Sequence, residues 1–226
     1  MLHLTNASCD PLWHDINLDV AAGEFVAVLG PNGSGKSTLL GTILGTRKLS
    51  SGTISAPKNI GFIPQQRMFP PELPVRVRDL VSLSLEHRPL RRPRKGDVDT
   101  LLDSVGALHL ADARVGILSG GQQQLVRQAQ AFAKQPDLIL ADEPLLSLDV
   151  ARQRDFVSRL HAAKVAVVMV THSIDPVIDI VDTVLYLGPH GHVVGSADEV
   201  LRSEVLSELY GAPVEVVRVG GKTVIL

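Results

Sequence analysis

The chain has 226 residues, of which 45% are hydrophobic, and a formal net charge of −2. This composition excludes a disordered chain and predicts one large domain, with or without a subdomain. The charge gives no support for nucleic-acid binding, the single cysteine excludes an intramolecular disulfide and a cysteine metal cage, and no apolar run approaches the roughly 18 residues that span a bilayer.

The first third of the chain predicts strands. Residues 2–20 alternate between apolar and polar side chains in patches, which indicates antiparallel strands with one face in water. Residues 25–29 (FVAVL) and 59–64 (NIGFIP) predict two buried strands, the second ended by Pro64.

A glycine-rich segment follows the first buried strand and precedes a predicted helix. Its order is Gly30, Pro31, Asn32, Gly33, Ser34, Gly35, Lys36, Ser37, Thr38. Glycine, four residues and Gly-Lys-Ser in this context predict a phosphate-binding loop, in which Lys36 reaches the outer phosphates and Ser37 holds Mg²⁺. The alternative, a glycine-rich turn that binds nothing, gives Lys36 and Ser37 no role.

Residues 68–115 differ from the rest of the chain in their sequence pattern. They predict a helical subdomain inserted into an α/β core formed by residues 1–67 and 116–226. Amphipathic helices are expected at 75–85 and 97–110. Residues 87–95 between them are basic and broken by proline, which favours a solvated loop, with contact to anionic lipid or a partner protein as the alternative.

A third helical segment, residues 118–134, opens with Leu118, Ser119, Gly120, Gly121 and Gln122. A serine can cap a helix start. Two early glycines weaken a helix, and a contact with a second phosphate at the free N–H groups accounts for that cost better than a simple capped start does.

The next apolar strand, residues 138–141, delivers two acids, Asp142 and Glu143, to its end. Strand ends are where ligands lie in open α/β sheets. Asp142 suits Mg²⁺ and Glu143 suits the polarisation of an attacking water, whereas an ordinary pair of acids at a turn is the alternative.

The remaining residues predict a helix at 152–163, a buried strand at 165–170 and a short helix at 176–181. A hairpin at 183–195, a closing helix at 198–210 and a strand pair within 214–226 complete the chain. Strands that alternate with helices imply a three-layer α/β core with a mainly parallel sheet.

The order of these motifs, together with Ser147-Leu148-Asp149 and His172, resembles that of ABC-type ATPases over essentially the whole chain. The resemblance implies a P-loop NTPase fold. It also implies a homodimer in which ATP lies between the phosphate loop of one subunit and Ser119–Gln122 of the other.

The resemblance assigns three further residues. Gln65 would contact Mg²⁺ and the attacking water, with the adjacent Gln66 as the alternative. Asp149 would lie in the loop that crosses the dimer interface, and His172 would contact the γ-phosphate. A histidine at a strand end is otherwise most often structural.

One segment departs from the family pattern. Between Leu4 and Trp13 no aromatic residue falls where the family stacks one on adenine, and Trp13 aligns with a core position. Phosphate binding is therefore better supported by the sequence than recognition of the base.

The resemblance implies a function as the ATP-hydrolysing subunit of an importer, most similar to the zinc and manganese type. Alternatives are an importer for another solute, an exporter and, with less support, a soluble ABC ATPase. The expected cofactors are ATP and Mg²⁺. Permease subunits and an extracytoplasmic solute-binding protein are the expected partners, nucleic acid is not, and the subunit is expected at the cytoplasmic side of the membrane through its permease.

Overall fold

The structure is a computed structural model that describes residues 1–65, 68–85, 95–146, 148–219 and 222–226. Gln66, Ser147 and most of the basic segment 87–95 lie outside the described residues, so the predictions made for them stay predictions.

The strands follow the sequence pattern closely. They are β1 Leu2–Cys9, β2 Trp13–Val20, β3 Phe25–Leu29, β4 Ser51–Ser55, β5 Ile60–Ile63, β6 Leu138–Asp142, β7 Ala166–Val170, β8 Thr183–Gly188, β9 Gly191–Gly195, β10 Val216–Val219 and β11 Lys222–Ile225.

The helices are more interrupted than the sequence predicts. They are α1 Lys36–Ile43, α2 Val77–Ser82, α3 Lys95–Ser104, α4 Gly120–Phe132, α5 Val150–Ala162, α6 Ala197–Val200 and α7 Ser203–Tyr210, with 3₁₀ turns at Leu108–Leu110, Val115–Ile117 and Asp175–Val177.

Four helix predictions were wrong in extent. The helix predicted at 75–85 spans only Val77–Ser82. The helix predicted to reach residue 110 ends at Ser104, because Gly106 adopts a left-handed φ of 73°. The helix predicted at 198–210 is two helices, since Leu201 leaves the helical conformation at ψ 62°. The one predicted at 176–181 is only the 3₁₀ turn at Asp175–Val177.

The central sheet has the strand order β5-β6-β7-β3-β8-β9. Its first five strands are parallel and β9 pairs antiparallel with β8. Successive residues of β3 alternate between two buried clusters, with Val26 and Val28 facing β1, β2 and α1, and with Ala27 and Leu29 facing α5 and the C-terminal helices. This arrangement confirms the predicted three layers and the N-terminal antiparallel portion, in which β1 lies between β2 and β4.

A third apolar cluster lies in the middle of the chain. It joins α2 and α3, through residues such as Val81 and Leu102, to Val126 and Ala129 of α4. None of the helices in the described ranges is long and apolar enough to cross a membrane.

Candidate functional site

The predicted site residues lie at the carboxyl ends of four neighbouring parallel strands. Gln65 follows β5, Asp142 ends β6, His172 follows β7, and Gly30 follows β3. Because β5, β6, β7 and β3 are adjacent in the sheet, side chains that are far apart in sequence meet at one edge.

The glycine-rich segment curls tightly between β3 and α1. Gly30, Gly33 and Gly35 all have positive φ, at 141°, 84° and 90°. A Cβ at Gly30 would lie 2.1 Å from the carbonyl oxygen of Leu187, so only glycine fits there. The helix then begins at Lys36, earlier than its apolar pattern predicts, so its N-terminal N–H groups face the loop.

Two side chains of this loop suit an anion. The Lys36 amine is buried and donates hydrogen bonds to the carbonyl oxygens of Gly30 at 2.9 Å and Pro31 at 2.8 Å. Burial lowers the pKa of this amine, while the carboxylates of Glu143 and Asp142 raise it. Within the described ranges, the buried hydroxyl of Ser34 has no hydrogen-bond partner, which leaves it available to a ligand oxygen.

Ser37 and Asp142 form a pair of oxygens suited to a hard cation. The Ser37 hydroxyl donates to Oδ1 of Asp142 at 3.1 Å, and Mg²⁺ prefers such hydroxyl and carboxylate ligands. Burial raises the pKa of the Asp142 carboxyl and the hydrogen bond from Ser37 opposes the shift. A buried carboxylate of this kind gains from a cation beside it, so the residues present fit Mg²⁺.

Glu143 is held from both sides. The Gln65 amide donates to its Oε2 at 2.9 Å, and Nε2 of His172 lies 2.6 Å from its Oε1. The Glu143 side chain is only 11% exposed. Gln65 and Glu143, predicted to act on the attacking water, therefore meet in one cluster with His172, the predicted contact of the γ-phosphate.

The backbone of Glu143 is also unusual. It adopts a left-handed φ of 47°, which is rare for a residue that is not glycine, and its N–H donates to the carbonyl of Val170 at 3.0 Å. The bond to β7 holds this conformation in place, and the carboxylate is thereby directed across the strand ends.

Ser119 and Gln122 form a capping box at the start of α4. Ser119 Oγ accepts from the Gln122 N–H at 3.4 Å, and Gln122 Oε1 accepts from the Ser119 N–H at 2.9 Å. The sequence reasoning predicted the cap but missed the reciprocal bond, which the spacing Ser-x-x-Gln signals. Asp149 likewise caps α5, where its Oδ1 accepts from the Arg152 N–H at 2.9 Å.

Trp13 is buried in the core, which confirms its predicted packing role. Its contact with the phosphate loop was not foreseen, because nothing in the local sequence signals it. A Cβ at Gly35 would lie 2.8 Å from Trp13 Cδ1 and 2.9 Å from the Leu12 Cβ. Leu12 and the first residue of β2, Trp13, thus pack directly on the loop.

A family model for the ABC transporter family matches residues 13–146. This range runs from Trp13 past the phosphate loop, Ser119–Gln122 and the acid pair. It covers more than half of the chain and contains, apart from His172, the residues that the structure brings together at the strand ends.

Curated relatives match over most of the chain. The zinc import ATP-binding protein ZnuC of Marinobacter nauticus is 33% identical over 89% of this chain and 78% of that protein. The manganese transport system ATP-binding protein MntB of Bacillus subtilis is 34% identical over 89% and 87%. The molybdate import ATP-binding protein MolC of Haemophilus influenzae is 35% identical over 89% and 83%.

Solved structures agree with the fold. One is described as an inward-facing conformation of an ABC transporter assigned to the metal-chelate type. It has a TM-score of 0.82 at 31% identity and covers 99% of this chain and 95% of that one. Another is a dimeric ATP-binding cassette in a post-hydrolysis state bound to ADP and Pi, with a TM-score of 0.70 at 27% identity over 83% of this chain and 94% of that one.

Proposed function

The chain belongs to the ABC transporter family as an ATP-hydrolysing subunit, and from this premise we propose that it powers the import of a divalent metal ion of the zinc or manganese kind. Similarity to zinc and manganese import subunits over 89% of the chain supports this substrate class. Similarity of the same extent to a molybdate import subunit favours, as the second candidate, an importer of another solute.

The single observation that supports the catalytic assignment is the cluster around Glu143. Its carboxylate lies between Gln65 and His172, next to Asp142 and at the end of the strand beside β7. We assign Glu143 as the base that polarises the attacking water. Gln65 orients that water, and His172 contacts the γ-phosphate.

Phosphate binding is assigned to the loop from Gly30 to Thr38. The loop N–H groups and the N-terminus of α1 hold the phosphates, and Lys36 exchanges its bonds to the loop carbonyls for the outer phosphates. Mg²⁺ would be held by Ser37 and Asp142, with Gln65 beside them, and when bound it neutralises the charge that develops on the phosphate oxygens.

The working unit is proposed to be a homodimer of this chain. Ser119–Gln122 of one protomer would close over the ATP held by its partner, with Asp149 in the loop between them. The dimeric relative with bound ADP and Pi supports this arrangement. Because the closed dimer binds ATP better than the open one does, ATP drives closure and hydrolysis reverses it.

The transported solute would be selected outside this chain. Permease subunits in the membrane and an extracytoplasmic solute-binding protein are the proposed partners, and the permease would hold this subunit at the cytoplasmic side of the membrane. The similarity to an inward-facing transporter supports the docking on a permease.

Metal uptake in cells tests the proposed substrate. A chromosomal Lys36→Ala substitution should abolish energy-dependent uptake of zinc or manganese, with Lys48→Ala, an exposed lysine outside the loop, as the matched control. If uptake of both metals continued while uptake of molybdate failed, the second candidate would replace the first.

A further inference from the structure

A cavity of about 330 Å³ lies behind the start of α4, outside the cluster around Glu143. It is enclosed by the segment after α3, the first turns of α4 and one face of α5. The polar side chains of its wall are those of His109, Gln122, Gln124, Arg152, Asp155 and Arg159. A volume of this size is at the lower end of the range for small-molecule sites.

Gln124 is the residue of this wall that indicates a ligand, because its amide is buried and lacks a partner in the described part of the chain. Its side chain is 2% exposed, and neither Oε1 nor Nε2 has a hydrogen-bond partner among the described residues. One turn later on α4, Gln128 is fully buried and its Nε2 also lacks a partner. A buried polar group left without a partner destabilises the fold, so an occupant that pairs with the amide of Gln124, the one of the two that lines the cavity, stabilises the protein.

The charges of the wall indicate the sign of that occupant. Arg152 and Arg159 are seven residues apart on α5, so they lie on one side of the helix at a spacing of about 10 Å along its axis. Asp155 is the carboxylate between them and Arg152 pairs with Asp149, so the cation that the wall offers to an occupant is Arg159.

Arg159 is the better placed of the two arginines. Arg152 is exposed and already pairs with Asp149 at 3.3 Å. Arg159 is half-buried, its Nε donates to Gln128 Oε1 at 3.3 Å, and burial lowers the pKa of its guanidinium while Asp155 opposes the shift. Its remaining N–H donors suit a bidentate anion.

We propose that this cavity binds a small carboxylate- or phosphate-bearing anion, whose charged group pairs with Arg159 and whose neighbouring polar atoms pair with the Gln124 amide. The occupant would also touch Gly121 and Gln122 from behind, on the segment assigned above to the partner's ATP. The site is separate from the phosphate loop and does not depend on the identity of the transported solute.

The test is a calorimetric titration of the full chain without nucleotide or divalent cation. It is made in the Lys36→Ala background, so that the phosphate loop does not compete for the probe. The two probes are citrate and inorganic phosphate, at constant ionic strength. We expect saturable binding of at least one of them, and the probe that binds identifies the carboxylate or the phosphate class.

Two variants and one matched control decide the outcome. Arg159→Gln and Gln124→Leu should each weaken binding about tenfold or more, as loss of a charge-assisted or buried hydrogen bond predicts. Arg154→Gln, on the exposed side of the same helix, should leave the affinity unchanged. Gln124→Leu keeps both arginines, so it tests the site even if Arg159→Gln fails to fold. The proposal is overturned if neither probe binds saturably, or if Arg154→Gln weakens binding as much as Arg159→Gln.

Discussion

Nε2 of His172 lies 2.6 Å from Oε1 of Glu143, and the Gln65 amide donates a hydrogen bond to Oε2 of the same carboxylate at 2.9 Å. The two partners come from the strands on either side of β6. Each carboxylate oxygen therefore has one side-chain partner and keeps a further lone pair, with which Glu143 can accept a hydrogen bond from the attacking water.

Glu143→Gln should separate binding from hydrolysis. Glutamine has the same size as glutamate and can keep the hydrogen bond with Gln65. It cannot accept a proton from the attacking water, so we expect ATP turnover to fall about 10²–10⁴-fold. ATP affinity should change little, because the loop is untouched. Steady-state phosphate release and equilibrium titration with a fluorescent ATP analogue measure the two quantities. Glu208→Gln, an exposed acid on α7, is the control, and substantial steady turnover by Glu143→Gln would refute the assignment of the base.

Asp142→Asn should stabilise the ligand-free protein in a pH-dependent way. Because burial raises the pKa of Asp142, the folded protein keeps that proton to a higher pH than the unfolded chain does, and stability is lost as the pH rises through the folded pKa. Asparagine does not ionise. Without divalent cation, the gain in melting temperature of Asp142→Asn over the wild type should therefore be small in acid and grow towards neutral pH.

Asp137→Asn provides the matched control for that series, since Asp137 is exposed just before the same strand. Its melting temperature should follow the wild type across the pH range. A variant Asp142→Asn that is less stable than the wild type at every pH would show that the ionised carboxylate stabilises the ligand-free fold.

Gly30→Ala and Gly33→Ala should lower the free energy of unfolding by different amounts, although both glycines have positive φ. At Gly30 a Cβ meets the Leu187 carbonyl at 2.1 Å, whereas at Gly33 no atom of the part of the chain that the structure describes lies within 4 Å. Gly33→Ala therefore costs only backbone strain of about 1–2 kcal/mol, and Gly30→Ala should cost about 3 kcal/mol or more because the strand β8 must move. Urea unfolding of the two variants measures the difference, and equal losses would contradict this account of the clash.

The sequence predicts the strands and the site better than it predicts the helix ends. Each buried strand is a short apolar run, and Asp142 follows one of them directly, so local pattern and position agree. Two predicted helices end early because the backbone of one residue, Gly106 in the first and Leu201 in the second, leaves the helical conformation. Gly106 is a local stop signal that the apolar periodicity outweighed in the prediction, whereas the break at Leu201 has no local signal and depends on tertiary packing.

Contacts between distant segments were the other part that the sequence could not supply. Trp13 at the start of β2 packs on Gly35 in the loop after β3. The residue type at neither position implies this contact. The cluster around Glu143 was predictable only through family resemblance for Gln65 and His172, since neither has a local motif. Once the strand order is known, their convergence follows from the geometry of a parallel sheet.

Ile117→Asp and Val150→Asp should each prevent the ATP-dependent dimer. Ile117 is 72% exposed beside the Ser119 cap, and Val150 is 63% exposed at the start of α5 beside Asp149. We expect the proposed dimer to cover both apolar side chains because they flank Ser119 and Asp149, so a buried aspartate should weaken association by about 2 kcal/mol or more, which is about 30-fold. Light scattering in the Glu143→Gln background with ATP reports the dimer fraction. Val219→Asp, on β10 at a comparable exposure of 64%, should leave the dimer intact, and the dimer model fails if this control disrupts association while Ile117→Asp and Val150→Asp do not.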